Sequence, residues 1–253
     1  MSVFASPSSA TGADTTRRLT TPERVAYERD GYVVVPDVFP GAELAAIDQE
    51  LDRLIAQPGV EAGPQRQGWI YDVARRSEMT RGFAEDARLL ALVGDVVQPG
   101  LAIHSSKLVT KVPRTEDICH WHQDEAFYRK EEDDTTHSAA RMSVWVPLQR
   151  AHLDNGCLWV VPGSHKWGLG EWTWQDSGTC QKRITKHEYA ERHAVPVPVE
   201  AGTVVLFTAW TWHHSKGNHT AGIRRAFIVS YQEGNLPRGA GEQWKVLRPA
   251  ALR

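Results

Sequence analysis

The chain has 253 residues, with 29 Lys+Arg against 31 Asp+Glu for a formal net charge of -2, and it is 41% hydrophobic and 24% charged. Those proportions belong to a folded chain long enough for one large core, which excludes wholesale disorder, and the near-neutral balance offers no basic face for phosphate-driven nucleic-acid binding. No apolar run approaches the ~18 residues of a membrane span.

Residues 1–20 read as a flexible leader rather than a signal peptide, because the arginines come late, at Arg17 and Arg18, with no apolar stretch behind them. Residues 21–253 read as a single domain. A helix is expected from Thr21-Pro22-Glu23, capped by Thr20 or Thr21, to Asp30-Gly31. Tyr32–Val35 follows as a buried strand closed by Pro36. Leu44, Ile47, Leu51, Leu54 and Ile55 set a helical period over Ala42–Ala56. A strand at 68–73 and a helix at about 84–97 complete the first part.

From about residue 102 the texture changes to short β-branched and aromatic runs: 108–112, 141–148, 158–161, 194–199, 204–207 and 226–231. Gly, Pro, Asn and Asp punctuate them, as in an antiparallel sandwich or barrel. The fold class is therefore α+β, helices first and a β-core after. All 11 His lie between His104 and His219, within that β-core. The three cysteines, Cys119, Cys157 and Cys180, are an odd number at unrelated spacings. Neither a disulfide framework nor a CxxC zinc ribbon is expected, and a reducing cytoplasm is the expected setting.

His122 and Asp124 form an H-x-D in Cys119-His120-Trp121-His122-Gln123-Asp124. At strand spacing i and i+2 share a face, so the two can grip one ion. With a distant second His they make the facial triad that suits Fe(II) and leaves positions open for other ligands. H-x-D alone is weak: His152-Leu153-Asp154 is a second match, read as a loop pair beside Asn155-Gly156. The distal ligand is expected within Trp212-His213-His214-Ser215. Adjacent residues of an extended chain face opposite ways, so one of the two histidines serves, and spacing does not choose between them. Arg224-Arg225 opens the last apolar strand, where an arginine is well suited to bind a carboxylate through two parallel N–H bonds.

These residues resemble the phytanoyl-CoA dioxygenase-like family of Fe(II)/2-oxoglutarate-dependent oxygenases. Asp30-Gly31-Tyr32-Val33-Val34 is similar to its N-terminal strand, and Trp121-His122-Gln123-Asp124 to its ligand motif. Asn155-Gly156-Cys157-Leu158, Val161-Pro162-Gly163-Ser164-His165-Lys166 and His213-x-Ser215-x-x-Asn218 follow in the family's order, with Arg224 at its interval after His213. The resemblance implies a double-stranded β-helix (jelly-roll, cupin-like) core with the N-terminal helices packed on one sheet. It implies His122, Asp124 and His213 as metal ligands and catalytic centre, with His214 pointing away. Arg224 would hold the distal carboxylate of 2-oxoglutarate, Ser215 and Trp145 would line its pocket, and Arg225 would face outward. Fe(II) would be the cofactor, with 2-oxoglutarate and O2 as co-substrates.

The implied reaction is oxidation of an unactivated C–H bond of a small molecule, hydroxylation being the usual outcome, in secondary metabolism, with release of succinate and CO2. No basic patch suggests an acyl-CoA, and neither nucleic acid nor membrane is an expected partner. The alternative is a metal-binding jelly-roll protein without such activity, a non-redox isomerase or binding protein. A zinc site of His120, which shares a strand face with His122, with His122 and His213 would leave Asp124 without a reason. His165 is read as structural. Two insert-like stretches, Glu125–Ala140 and Trp167–His193, are the expected substrate selectors. The first carries the acidic run Glu131–Asp134, and the second carries Trp172 and Trp174 as a possible aromatic lid.

Overall fold

The computed structural model describes residues 17–63, 66–128, 141–176, 179–234 and 245–248. Helix α1 (Thr21–Asp30) begins with Thr20 as N-cap, its side chain and that of Glu23 closing a reciprocal capping box. It ends at Gly31, whose φ of 81° suits glycine. A Cβ there would also meet His165 Nδ1 and Thr211 Oγ1. Of the stretch 1–20 expected as a leader, Leu19 is buried in the core and Thr20 caps the helix, and residues 1–16 lie outside the described residues.

Strand β1 (Tyr32–Val35) leads into α2 (Gly41–Ile55), which buries Leu44, Ile47, Leu51 and Leu54 as its period requires. The strand expected at 68–73 is only β2 (Ile70–Tyr71), because the chain turns at once into a 3-10 segment at Val73–Arg75. The single helix expected at 84–97 is two, α3 (Glu78–Ala84) and α4 (Ala87–Val93). Asp86 breaks it: its side chain accepts from Arg88 N as an N-cap, and an N-cap residue is not helical.

The rest is the β-core: β3 (Leu101–Lys111), β4 (Cys119–His122), α5 (Asp124–Tyr128), β5 (Met142–Pro147), β6 (Leu158–Val160), the hairpin β7 (Trp172–Trp174) and β8 (Lys182–Ile184), α6 (Glu188–His193), β9 (Val195–Val197), β10 (Val204–Thr208), β11 (His213–Ser215), β12 (Arg224–Gln232) and β13 (Lys245–Arg248). One large sheet runs β1-β10-β5-β12-β3-β13, with β2 also on β3, and a four-stranded sheet runs β4-β11-β6-β9. Alternation along each strand divides the core into two. Val33, Val35, Leu206, Phe227 and Val229 face the helices, whereas Val205, Phe207, Ala226 and Trp145 face the second sheet. This is the expected jelly-roll with helices on one sheet. Among the described residues no helix is long and apolar enough to cross a membrane.

Candidate active site

Strands β4, β11, β3, β5 and β12 turn side chains into one cavity between the two sheets, open to solvent at one side. His122, Asp124, Trp145, His213, Ser215 and Arg224 all border it, so the six expected site residues meet in one place.

His122 and Asp124 do not share a strand face, as their spacing suggested. Strand β4 ends at His122 and Asp124 opens the short helix α5, so a strand end and a helix start converge. Asp124 Oδ1 lies 3.9 Å from His122 Nε2 and 3.9 Å from His213 Nε2, and the potential ligand atoms of the three residues all fall within 4.8 Å of one another. Both imidazoles are oriented from behind: His122 Nδ1 bonds the His120 carbonyl at 2.7 Å and His213 Nδ1 the Thr211 carbonyl at 2.9 Å. A carbonyl only accepts, so each Nδ1 carries the proton and each Nε2 presents a lone pair. Burial holds both imidazoles below their ordinary range and therefore neutral at pH 7. Burial alone would raise Asp124, but the Lys107 ammonium and the Ser143 hydroxyl help hold it below the usual carboxylate range, and it stays ionised.

His120 is not part of this group. The β4–β11 pairing shifts between His213 and Ser215, and across that irregularity Cys119 rather than His120 shares the cavity wall with His122. The His214 ring packs against Trp121 at a tilt of 37°, centroids 4.1 Å apart, and also touches the cavity edge. Burial pushes its imidazole down to about 3. His152 and Asp154 lie at a 3-10 turn with the aspartate exposed, as a loop pair should. His165 Nε2 bonds the Glu28 carbonyl and so ties the turn to α1.

Arg224 is 1% exposed. Its Nη2 donates to the Gly156 carbonyl at 2.7 Å and its Nε to Asn155 at 3.5 Å, while Nη1 is buried with no hydrogen-bond partner. The Trp145 ring lies 5.6 Å from the guanidinium carbon. Arg225 leaves the opposite face of the sheet and pairs with Asp48 and Asp52 of α2 at 2.8 and 2.6 Å, outward from the cavity yet 7% exposed.

Two features escaped sequence reasoning. Lys107 Nζ lies 3.8 Å from Asp124 Oδ1 and borders the cavity. Extending the expected strand at 108–112 backward by one residue would have exposed the alternation Lys107, Val109, Lys111. Cys119 and Cys180 form a disulfide, contrary to expectation, because β8 packs on β4 and brings together residues 61 positions apart. Cys157 is free and buried. The disulfide also occupies the sulfurs of the other cluster of potential ligands, Cys119, His122 and Cys180.

Of the two expected selector stretches, residues 129–140, with the run Glu131–Asp134, lie outside the described residues. In the second, Trp174 is 51% exposed and bonds Asp176, and Lys182 sits 4.4 Å above Trp172. Neither tryptophan borders the cavity, so the pair covers the hairpin surface rather than lining a lid.

Residues 27–226 match the family described as phytanoyl-CoA dioxygenase (PhyH). The chain is 29% identical to an ectoine dioxygenase of Sphingopyxis alaskensis, over 91% of this chain and 84% of that one, and 28% identical to one of Streptomyces avermitilis over 85% and 80%. The crystal structure of EctD from S. alaskensis with 2-oxoglutarate and 5-hydroxyectoine superposes with a TM-score of 0.72 at 27% identity, over 87% of this chain and 78% of that one. The fold is also that of SnoK, a non-haem α-ketoglutarate-dependent carbocyclase from nogalamycin biosynthesis, with a TM-score of 0.71 at 22% identity over 90% and 96% of the two chains. Fold and relatives together define a non-haem Fe(II)- and 2-oxoglutarate-dependent oxygenase. Within that class the chain belongs to the phytanoyl-CoA dioxygenase family.

Proposed function

We propose that His122 Nε2, Asp124 Oδ1 and His213 Nε2 bind Fe(II), that Arg224 anchors the distal carboxylate of 2-oxoglutarate between Trp145 and Ser215, and that the enzyme hydroxylates an unactivated C–H bond of a small molecule in secondary metabolism. The observation that carries this reading is Arg224 Nη1, a buried cationic donor without a partner on the wall of the cavity that holds the three ligand atoms. Leaving such a donor unpaired is costly, and a carboxylate satisfies it. The donor set fits the metal: two neutral imidazoles and one carboxylate carry a single negative charge and suit a divalent ion with open positions.

When bound, iron supplies the activation of O2 that is driven by oxidative decarboxylation of 2-oxoglutarate. The chain contributes orientation. The carbonyls of His120 and Thr211 hold both Nε2 lone pairs toward Asp124 Oδ1. Arg224 fixes the far end of the co-substrate, and Trp145, Phe207 and Leu158 keep the surrounding wall apolar, so water is excluded where the oxidant forms. Ectoine, the substrate named for the relatives, is small and polar. Lys107 on this cavity wall gives the present site a positive group facing whatever enters.

Anaerobic addition of 2-oxoglutarate to the Fe(II)-loaded protein tests the assignment. A visible charge-transfer band, lost in Arg224→Ala, is expected, with succinate released once air and substrate are admitted. Absence of both the band and succinate would overturn it.

A further inference from the structure

Cys119 Sγ lies 3.7 Å from His122 Nδ1 and 3.9 Å from its Nε2. With Cys180 Sγ these form a cluster whose potential ligand atoms fall within 4.8 Å of one another. Both cysteines border the cavity and neither is fully buried, so an ion that enters can reach them. The disulfide is not alone in holding its two segments together. On one side of Cys180, the buried Thr179 Oγ1 reaches Asp117 Oδ1 and the Ile118 carbonyl, each at 3.1 Å. On the other, Gln181 Oε1 accepts from Arg66 Nη2 at 2.9 Å, and the Lys182 ammonium donates to the Ala126 carbonyl. Cutting the S–S bond therefore leaves two thiols facing each other beside an imidazole.

We propose that reduction of Cys119–Cys180 opens a second metal site, made of both sulfurs and His122 Nε2, for a thiophilic divalent ion such as zinc, which takes His122 from iron. The competition rests on the proposed Fe(II) assignment of His122; the thiolate site does not. Exclusion follows from the imidazole. Its Nδ1 proton is engaged by the His120 carbonyl at 2.7 Å, so only Nε2 has a lone pair to give. That atom lies 3.9 Å from Cys119 Sγ and 3.9 Å from Asp124 Oδ1, and one lone pair serves one ion. The two donor sets select differently. Two imidazoles and a carboxylate suit iron, whereas two thiolates and an imidazole suit zinc with a fourth position open to water. While the disulfide stands, neither sulfur is a thiolate and iron keeps its ligand.

Opening the site takes a dithiol reductant. The Sγ–Sγ bond breaks, the two cysteines gain two electrons and two protons, and the dithiol closes to its own disulfide. The divalent ion then displaces both thiol protons to solvent, with no further change of oxidation state.

Co(II) alone, titrated anaerobically into protein reduced by a dithiol and then freed of it, reads the site through the thiolate-to-metal charge-transfer band. The band is expected in reduced wild type, saturating at stoichiometric Co(II), and is expected to be absent from oxidised wild type. Reduced Cys180→Ser, left with one thiolate, should lose most of the band yet bind Fe(II) as wild type does. Displacing half of the bound Fe(II) should take on the order of 100-fold more Zn(II) from oxidised than from reduced wild type.

Absence of the band from reduced wild type overturns the proposal, as does a band of full strength in Cys180→Ser. Equal sensitivity of bound iron to zinc in the two redox states overturns it too, and that comparison needs no variant. If oxidised wild type fails to bind Fe(II), or His213→Ala binds it as wild type does, the assignment of the iron site has failed, while the cobalt band still decides the thiolate site.

Discussion

Ser143 Oγ donates to Asp124 Oδ2 at 2.5 Å, which leaves Oδ1 as the carboxylate oxygen facing both histidine Nε2 atoms. Ser143 is itself held by Ser230 at 3.3 Å, and Ser230 by the Tyr128 hydroxyl at 2.6 Å. Three hydroxyls therefore fix the rotation of one carboxylate. Ser143→Ala should weaken Mn(II) or Fe(II) binding by roughly 10–100-fold, as loss of a partner to a metal ligand does. Anaerobic metal titration checks it, and undiminished affinity would show that the carboxylate is oriented by other means.

The two adjacent histidines should separate cleanly. His213→Ala is expected to abolish stoichiometric metal binding, because its Nε2 faces Asp124. His214→Ala should keep the metal and lose about 1 kcal/mol of stability, the scale of one aromatic contact such as that with Trp121. Metal content and chemical denaturation of both variants decide the matter.

The arginine pair divides in the same way. Arg225→Met strips the ion pairs to Asp48 and Asp52 from the junction of α2 and β12 and should cost about 2–3 kcal/mol, since the guanidinium is largely buried. Its effect on the KM for 2-oxoglutarate should be small. Arg224→Ala should show the reverse, a large loss of 2-oxoglutarate binding. Urea unfolding and co-substrate titration separate the two roles.

Acid should destabilise the fold before the ordinary carboxylates titrate. Burial pushes His104 down to about 4, whereas an unfolded histidine protonates near 6.5. The unfolded chain thus binds the extra proton first. The stabilisation is complete above pH 6.5 and is lost as pH falls toward 4. His104→Gln, measured by urea unfolding across that window, should make the slope shallower by up to one proton, the other buried histidines keeping theirs; an unchanged slope would remove His104 as a contributor.

Reduction of the Cys119–Cys180 disulfide should lower stability by up to about 4 kcal/mol, the chain-entropy value for a loop of this length. Thiol labelling of the denatured protein before and after reduction should count one and three thiols. Three thiols without reduction would rule out the bond.

What was legible in the sequence was periodic or local. Leu44, Ile47, Leu51 and Leu54 announced their helix, and the short β-branched and aromatic runs at 204–207 and 226–231 announced β10 and β12. Thr20 and Thr21 announced a cap, and the structure chose Thr20. Asp86 carried a breaking signal of the same kind, between Phe83-Ala84 and Leu89-Leu90, which share one helical period. The site was legible as far as residue type and order allowed. Which of His213 and His214 faces inward, and which of Arg224 and Arg225, depended on strand register, which the family resemblance supplied. The bond of Cys119 with Cys180 depends on how distant segments pair, and spacing along a chain carries no record of that.

One such distant pairing bears on how the site is maintained. Gly31, at the end of the first helix, accepts from Thr211 Oγ1 through its carbonyl, and the Thr211 carbonyl in turn receives the His213 proton; the two residues are 180 positions apart. The helical layer is thus a jig for the tautomer of a ligand it never touches. Transplanting the β-core alone onto another scaffold would carry over all three ligand residues and leave one of them free to rotate.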